Sequence, residues 1–389
     1  MSRKKILIIP SWYPTEDEPT FGIFFREQAF ELNKKFDIAV LYIEEPIKFN
    51  ELSKIFKKKI HILNDNTILT VNYKYVNWFP HCECLKIFLY RLAAIRGYLI
   101  IKKEFGKPDI LHAHSTLMGG YGAIILKKCY NIPVIVSEHA SFFDTFFSGS
   151  RKIIACEVFN NADKYTAVSK YLCELVKKKG RSQCDVIPNF INKMKFYSLT
   201  NSQMGTNQFK LLNVSSLIDL KGIDILIKAL DIVINKNKIK NVNLDIVGKG
   251  PGEKKYQDLV KEFSLENYCT FHGEKSPEEL SHFYHQTNVV VISSRSETFA
   301  IIGIEAMSVG KPIISTCCGG PEDYVTPDVG YLVENENPEK LAMGIIYVMN
   351  NYEKYSPQKI REIFLNNYSS DVVTEKWMEV YSKICDDRR

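Results

Sequence analysis

Short apolar runs alternate with longer segments of helical periodicity along most of the chain. The apolar runs, rich in β-branched residues, are Ile6–Ile9, Ile38–Tyr42, Ile110–His112, Val134–Val136, Tyr165–Val168, Leu211–Ser215, Leu244–Val247, Val289–Ile292 and Pro312–Ser315. Such near-continuous runs are typical of strands buried on both faces of a parallel sheet. The helical patterns are Gly22–Asn33, Lys86–Phe105, Leu117–Lys128, Ser169–Lys178, Gly222–Val233, Lys254–Phe263 and Pro277–His285. This alternation predicts an α/β protein with doubly wound sheets and right-handed crossovers.

One segment, residues 192–208, breaks the alternation. It is rich in Asn, Ser, Thr and Lys and has no apolar periodicity, so it predicts a linker. We therefore expect a first domain over 1–191, a second over 209–367, and a final helix within 368–389 that packs back towards the first domain. Ligands of open α/β sheets bind beyond the carboxyl ends of the strands, which makes a cleft between the two domains the expected site.

Charge distinguishes the two halves of the chain. The net charge is +6 overall, but residues 1–195 carry +11 and residues 196–389 carry −5. A net charge this small predicts no nucleic-acid partner. Basic residues cluster at Lys54–Lys59, at Lys177–Arg181 and along the predicted helix Lys86–Phe105. These clusters favour reversible contact of the first domain with an anionic membrane surface, although a buried helix with charged side chains reaching solvent is the better explanation of the last cluster.

Cysteine spacing and hydropathy bear on the compartment. None of the ten cysteines has the spacing of zinc ligands, so we expect reduced thiols in a cytoplasmic protein. The run Ile6–Ile9 stops at Pro10, too early for a signal peptide. No stretch reaches the ~18 uninterrupted apolar residues of a membrane span. The expected location is the cytoplasm, including the inner face of the cell membrane.

The most specific segment contains two glutamates eight positions apart. Glu297 follows the predicted strand Val289–Ile292 and precedes a helix expected to begin near Phe299. The backbone amides that open this helix, available to oxygen atoms of a ligand, are those of Phe299, Ala300 and Ile301. Glu305 lies in an apolar run, where a carboxylate needs a hydrogen-bond partner such as a ribose diol. Each glutamate alone also fits a structural role, as a helix cap or an exposed helix residue.

Three other residues stand where a strand or loop gives way to a helix. Lys221 precedes a predicted helix, where a cation backed by the helix dipole suits a diphosphate. Gly22 would let backbone approach a phosphate closely at the start of another helix. His139 follows the strand Val134–Val136 and would face the cleft. A surface lysine, a helix-start glycine and a structural histidine are the alternatives.

Two further patterns suggest chemistry that we consider weakly supported. His112 and His114 share one strand face, but no further ligands accompany them, so we expect no metal. The glycines Gly248, Gly250 and Gly252 follow a strand as in dinucleotide-binding proteins. That fingerprint requires its third glycine one position later, which disfavours hydride transfer.

In order and spacing, these motifs resemble those of retaining glycosyltransferases of family 4 with the GT-B fold, in particular bacterial polysaccharide-type members. The segments that carry the resemblance, spread over nearly the whole chain, are Ser11–Pro14, Phe21–Phe24, Val186–Asn189, Asp219–Gly222, Ile246–Pro251, Glu297–Glu305 and Gly319–Glu322. The resemblance implies two doubly wound Rossmann-like α/β domains facing across a cleft. It also implies metal-independent transfer of a sugar from a UDP- or GDP-sugar to a glycan or lipid-linked oligosaccharide, with retention of anomeric configuration, in cell-surface polysaccharide synthesis.

The resemblance also implies roles for individual residues. The catalytic set would be Glu297, His139 and Lys221. The donor-binding set would be Glu305, Gly22, Phe299, Ala300, Ile301, Ser216, Gly248 and Arg295. His114 and Glu138 would line the cleft on the acceptor side, with Glu138 a neighbour rather than a catalyst.

One departure from the family leaves alternatives open. The family places an arginine a few residues before Lys221, where this chain has Ser215, Ser216 and Leu217. Arg295, or serine hydroxyls and backbone amides, would have to replace it. The missing arginine supports a second hypothesis, a non-catalytic nucleotide-sugar-binding or scaffold subunit. A GT-B epimerase or phosphorylase is a third.

Overall fold

The computed structural model describes residues 3–18, 21–44, 60–65, 67–76, 82–149, 151–196 and 208–386. The basic cluster Lys54–Lys59 lies outside these residues. The chain divides into two compact units: unit 1 comprises Met1–Ile187 with Thr374–Arg389, and unit 2 comprises Pro188–Val373. Each unit is built around its own sheet, which confirms the predicted pair of Rossmann-like α/β domains.

Unit 1 contains an eight-stranded sheet in the order β3-β4-β2-β1-β5-β6-β7-β8. The strands are β1 (Lys5–Pro10), β2 (Asp37–Ile43), β3 (Ile60–Asp65), β4 (Ile68–Tyr73), β5 (Ile110–His114), β6 (Val134–Glu138), β7 (Lys164–Ala167) and β8 (Asp185–Val186). All neighbouring strands are parallel except β3 and β4, which form an antiparallel hairpin at one edge. The helices between them are α1 (Ile23–Asn33), α2 (Glu83–Glu104), α3 (Tyr121–Tyr130), α4 (Arg151–Asn161) and α5 (Lys170–Lys178). Strands β1, β2, β5 and β6 are buried almost throughout, as their apolar runs predict.

Unit 2 contains a parallel six-stranded sheet in the order β11-β10-β9-β12-β13-β14. The strands are β9 (Phe209–Val214), β10 (Val242–Val247), β11 (Cys269–Phe271), β12 (Val289–Ile292), β13 (Ile313–Thr316) and β14 (Gly330–Val333). The helices are α6 (Ile223–Asp231), α7 (Glu253–Glu262), α8 (Pro277–Gln286), α9 (Ile301–Ser308), α10 (Pro338–Asn350) and α11 (Pro357–Asn367). The final helix, α12 (Ser370–Asp386), contributes its residues from Thr374 to unit 1.

Two helices begin later than the sequence predicts. Helix α9 begins at Ile301 rather than near Phe299, because Ala300 takes a left-handed conformation with φ 60° that a helix cannot include. Helix α3 begins at Tyr121 rather than Leu117. Before it, Ser115 has φ 72°, so the chain turns sharply after β5 and only then enters the helix.

The division between the units differs from the expected linker at 192–208. Ile191, placed in the first domain by the sequence, belongs to unit 2, where its carbonyl accepts a hydrogen bond from the amide of Ser370. Phe196, placed in the linker, is buried in unit 2 with its ring centroid 5.2 Å from that of Tyr284. An apolar ring buried in this way makes 192–196 part of the domain. Residues 197–207 lie outside the described part of the chain.

Each sheet has one point where the strand order reverses. In unit 1 the chain leaves β1 towards β2 but leaves β5 towards β6, on opposite sides. In unit 2 the same divergence separates β9 from β12. Loops that diverge from neighbouring carboxyl ends leave a crevice, which is where open α/β sheets bind ligands.

Candidate functional site

At the reversal point of unit 2, two of the predicted catalytic residues are in contact. Lys221 Nζ donates to Glu297 Oε1 at 2.6 Å, and Ser294 Oγ donates to the same carboxylate oxygen at 2.7 Å. Only 7% of Glu297 is exposed. The local fold requires Gly222 after the lysine, since its φ is 60° and a Cβ atom there would lie 2.0 Å from the carbonyl oxygen of Ser293. That close approach places Lys221 against the end of β12.

The turn after Glu297 contains the three backbone amides that the sequence analysis assigns to donor binding. Tyr324 packs its ring 5.6 Å from the buried ring of Phe299 and donates from its hydroxyl to the carbonyl of Ala300 at 2.9 Å. No described residue accepts a hydrogen bond from the amides of Phe299, Ala300 or Ile301. With the N-terminus of α9 behind them, these donors can bind anionic or hydroxyl oxygens.

Glu305 has a protein partner that the sequence analysis missed. The hydroxyl of Tyr284, on α8, donates to Glu305 Oε2 at 2.7 Å, and Lys195 Nζ lies 3.7 Å from Oε1. Burial raises the pKa of Tyr284 well above its ordinary value, with the charge of Glu305 adding to the effect, so the phenol remains a donor. Glu305, the residue predicted to bind a ribose, is therefore already oriented by the buried Tyr284.

Arg295 is held by other carboxylates. Its guanidinium donates to both oxygens of Asp224, at 3.0 and 2.8 Å, and its Nε donates to Glu336 at 3.0 Å. The hydrogen bond to Asp224 is the main cause that raises the pKa of Arg295. Among the described residues, the structure shows no bond between Arg295 and the Lys221–Glu297 pair. The carboxylates of Asp224 and Glu336 therefore already balance the positive charge of Arg295.

Gly248 and Ser216 lie together where the loops after β10 and β9 meet. Gly248 has φ 135°, and a Cβ atom there would lie 1.9 Å from the carbonyl oxygen of Ser215. Only glycine permits this approach. Ser216, next in the chain, is exposed and accepts a hydrogen bond at its carbonyl from the amide of Ile218. Its hydroxyl is available to a ligand.

In unit 1, His114 and His139 form a second group at the corresponding reversal point. His114 ends β5, His139 follows β6, and His114 Nδ1 lies 3.0 Å from His139 Nε2. The ring of Phe25, on α1, is 4.6 Å from that of His114 and 4.8 Å from that of His139. Burial lowers the pKa of His114 to about 3, so this imidazole is neutral near pH 7.

Gly22 brings the start of α1 against the loop that follows β1. Its φ is 72°, and a Cβ atom there would lie 2.9 Å from the carbonyl oxygen of Trp12. The ring of Trp12 packs 5.5 Å from that of Phe25. The glycine therefore sets the position of the aromatic side chain that covers the two histidines.

Glu138 is a buried positioning residue. Its carboxylate accepts hydrogen bonds from Ser115 Oγ at 2.7 Å and from the amides of Thr116, His139 and Ala140, each at 2.9 Å. None of its surface is exposed. Glu138 therefore ties the turn after β5 to the segment that carries His139, and it does not line an open surface in this structure.

His112 belongs to the core rather than to a metal centre. Its Nδ1 lies 2.7 Å from the hydroxyl of Tyr381 on α12, and its Nε2 lies 2.8 Å from Ser137 Oγ. Burial lowers its pKa well below the ordinary value. The described residues contain no group of three or more His, Cys, Asp or Glu side chains that could hold a metal ion. Sequence analysis could not foresee Tyr381 as a partner, since it lies 269 positions away.

Two of the basic residues that favour a membrane surface pair with nearby carboxylates, and helix α2 keeps an exposed apolar surface. Lys177 pairs with Glu174 at 2.8 Å, and Lys179 pairs with Asp144 at 3.0 Å. Helix α2 exposes apolar residues, among them Phe88. Within the described ranges, every helix is too short or too polar to cross a bilayer.

The sequence matches models of two glycosyltransferase families and a glycosyltransferase relative. The model of group 1 glycosyl transferases matches residues 200–362, and the model of glycosyltransferase family 4 matches residues 63–194. An uncharacterized glycosyltransferase of Methanocaldococcus jannaschii is 29% identical over 311 residues, covering 78% of this chain and 84% of the relative.

Two further proteins are informative. The poly(ribitol-phosphate) alpha-N-acetylglucosaminyltransferase of Staphylococcus aureus is 27% identical over 254 residues, which is 64% of this chain but only 49% of the relative. The crystal structure of HepE from Anabaena in complex with UDP and glucose is similar over 98% of this chain and 100% of that chain, with a TM-score of 0.73 and 18% identity. Together with the two sheets and their reversal points, these matches show that the chain belongs to the family 4 glycosyltransferases and has the GT-B fold.

Proposed function

We propose that this glycosyltransferase moves a sugar from a UDP- or GDP-sugar to a glycan or lipid-linked oligosaccharide, retaining anomeric configuration, in cell-surface polysaccharide synthesis. The observation that carries the proposal is the 2.6 Å contact between Lys221 and Glu297 at the reversal point of unit 2. Support for the donor comes from HepE, whose structure holds UDP and glucose. Support for a polymeric acceptor comes from the Staphylococcus aureus relative, which is named for poly(ribitol-phosphate).

Lys221 and the backbone amides supply the positive charge that the reaction needs. Negative charge grows on the diphosphate as its bond to the sugar breaks, and fixed donors stabilise that charge without rearranging. An ammonium group has three donors, and the contact with Glu297 uses one of them. The remaining donors of Lys221, with the amides of Phe299, Ala300 and Ile301, bind the diphosphate. No metal is required in this scheme.

Other residues orient the sugar and the nucleotide. Glu297 is held by Lys221 and Ser294, and it accepts a hydrogen bond from a sugar hydroxyl. Glu305, held by Tyr284, accepts from the ribose. On unit 1, we assign contacts with the sugar and the acceptor to His139, and a positioning role to His114. Fixed side chains of this kind supply much of the rate enhancement by orientation.

The experiment that tests the proposal is a donor panel. The protein is incubated with several UDP- and GDP-sugars, and release of nucleoside diphosphate is followed by liquid chromatography. We expect slow release of nucleoside diphosphate from one donor. Lys221→Ala and Glu305→Ala should each lower the rate of this release by about 10-fold or more, since hydrogen bonds to charged groups contribute ~1.5–3 kcal/mol. Wild-type release in both variants would refute the site assignment.

A second candidate function rests on Arg295. Because two carboxylates match its charge, it is not set to replace the arginine that the family places near Lys221. That favours a nucleotide-sugar-binding subunit without turnover. The same panel separates the two functions, because such a subunit would bind a donor in calorimetry and release no nucleoside diphosphate. Dependence on inorganic phosphate would instead indicate a phosphorylase.

A further inference from the structure

Helix α2 has apolar residues on both of its sides, and the sheet of unit 1 covers only one of them. The inner side packs on β2 and β4, where Gly97 lies against the side chain of Leu41. Tyr90 and Tyr98 are buried on the same side. The apolar residues of the outer side follow one another at intervals of three or four positions, which places them in one row along the helix. This outer row consists of Leu85, Phe88, Leu92, Ile95 and Leu99.

The outer row is open to solvent. Leu85, Phe88 and Leu99 are 37%, 54% and 49% exposed, and Leu92 and Ile95 between them are half-buried. Scattered apolar residues are ordinary on a protein surface, whereas a contiguous apolar patch marks a binding surface. The sequence favours a buried helix at this segment, and the structure shows that burial is limited to the inner side.

Basic residues border the outer row on both sides. Arg91 and Lys102 lie along one border, and Arg96 and Lys103 lie along the other, all of them exposed. The only acidic residues of α2 are its first and its last. No described residue forms an ion pair with Arg91, Arg96 or Lys102, while Lys103 lies 3.6 Å from the carboxylate of Glu104. The outer side of α2 is therefore an apolar strip between two cationic borders.

The chemistry of this surface fits an anionic lipid bilayer. Apolar side chains enter the boundary between headgroups and acyl chains, while flanking Lys and Arg side chains reach the lipid phosphates. A second copy of the chain fits poorly, because a symmetric contact would bring the cations of both copies together. We propose that the outer row of α2 and its basic borders bind the surface of a membrane that contains acidic phospholipids. This inference goes beyond the proposed sugar transfer and does not depend on it.

The outer row begins at the edge of the sheet that carries His114. Helix α2 connects β4 to β5, which run in the same direction, so the helix runs opposite to both strands and begins at their carboxyl ends. The hydroxyl of Tyr90 donates to the carbonyl of Met118, in the turn that follows β5. A bilayer bound along α2 therefore extends to the edge of unit 1 where the histidine group lies.

The test measures co-sedimentation of the full-length protein with lipid vesicles, without any sugar donor. Vesicles of phosphatidylglycerol and phosphatidylcholine in equal amounts are compared with vesicles of phosphatidylcholine alone. We expect binding to the mixed vesicles and binding that is weaker by about 10-fold or more to phosphatidylcholine, because a neutral surface does not attract the basic borders. High salt should weaken the binding to mixed vesicles, since it screens exposed charges.

Two double variants test the two parts of the surface separately. Phe88→Ser with Leu99→Ser removes apolar contact, and Arg91→Gln with Arg96→Gln removes charge. Each should weaken binding to the mixed vesicles by about 10-fold or more.

Unit 2 offers matched controls for both variants. Met343→Ser replaces a 61% exposed apolar residue on α10, and Lys254→Gln with Lys261→Gln removes two exposed cations from α7. Both controls should bind the mixed vesicles like the wild type.

Tryptophan quenching tests insertion even if the serine variant fails to fold. Phe88→Trp should show stronger quenching by lipids with brominated acyl chains than the wild type, whereas Met343→Trp should not. Equal quenching in the two tryptophan variants would overturn the proposal.

The remaining outcomes are equally decisive. A wild type that binds neither kind of vesicle overturns the proposal, and so do α2 variants that bind as well as their controls. Sedimentation velocity shows whether the apolar variant instead dissociates a dimer, which would assign the surface to a second copy and overturn the proposal. Calorimetry with UDP and GDP reports the donor site, so failure of the proposed function is recognised separately.

Discussion

Replacing Lys221 tests whether this residue binds the diphosphate directly. Lys221→Met removes the ammonium group and preserves most of the side-chain length. A hydrogen bond between the ammonium group and a phosphate contributes ~1.5–3 kcal/mol, which corresponds to a loss of about 10- to 150-fold in affinity. We expect this loss for the nucleoside diphosphate alone, without the sugar, measured by isothermal titration calorimetry.

The contact with Glu297 creates a competing explanation that the assay must separate. Lys221 could act only by holding Glu297, which is 7% exposed and would retain the hydrogen bond from Ser294 Oγ. In that case Glu297→Gln would weaken diphosphate binding as much as Lys221→Met does. We expect instead that Glu297→Gln changes diphosphate affinity by less than about 3-fold and lowers turnover of the sugar donor, since the proposed function assigns Glu297 to the sugar.

A neighbouring ion pair provides the control. Asp219 lies two residues before Lys221 in the chain and pairs with Lys255 at 2.7 Å. The side chains of Asp219 and Lys255 are both mostly exposed. Lys255→Met should leave diphosphate affinity and thermal stability close to wild type, because exposed ion pairs contribute little. Unchanged diphosphate affinity in Lys221→Met, or an equal loss in Lys255→Met, would refute the reasoning.

Three further predictions concern stability. Gly248→Ala should increase hydrogen exchange in β10, since its Cβ atom would lie 1.9 Å from a carbonyl oxygen, whereas Gly180→Ala, with φ 108° but open space around it, should leave β10 unchanged. Glu138→Gln should destabilise unit 1 by about 2–3 kcal/mol, because an amide cannot accept all the hydrogen bonds that the carboxylate accepts. Urea unfolding followed by tryptophan fluorescence measures this loss, since all three tryptophans lie in unit 1. An unchanged unfolding midpoint would contradict the prediction. Because the pKa of His114 is about 3 in the folded protein and 6.5 in the unfolded chain, unit 1 should lose stability as pH falls from 6.5 towards 3. His114→Asn should reduce the loss of stability between pH 7 and pH 5 in the same fluorescence assay. An equal loss in both proteins would exclude His114 as the cause of the pH dependence.

The central strands could be predicted because a strand buried on both faces has apolar residues at nearly every position. Val289–Ile292 is apolar at every position, and the observed β12 has the predicted bounds. The β3–β4 hairpin has no such continuous apolar run. In β3 the apolar Ile62 and Leu63 are followed by the polar Asn64 and Asp65, which is neither a continuous apolar run nor a regular alternation. Only pairing with its neighbour makes the segment a strand.

The candidate site divides in the same way. Lys221 and Glu297 could be predicted because strand-to-helix turns at the carboxyl ends of parallel strands meet at one edge of a sheet. The partners of predicted residues could not. Tyr284 lies 21 positions from Glu305, and Tyr381 lies 269 positions from His112, with no motif that connects them. Such pairs depend on how helices pack, which a single sequence does not encode in its local pattern.

The paired charges in unit 2 change what the missing arginine implies. Lys221 faces Glu297, and Arg295 faces Asp224 and Glu336, so the formal charge of these five side chains is already negative. A diphosphate adds further negative charge, and bulk electrostatics of this unit cannot supply the attraction. Fixed dipoles can, because backbone amides at a helix N-terminus carry partial positive charge without a counter-ion. We therefore propose that the amides at the start of α9 take over the part of anion binding that the family's arginine provides. In the same proposal, Lys221 adds an ammonium group whose partner, Glu297, belongs to the sugar site.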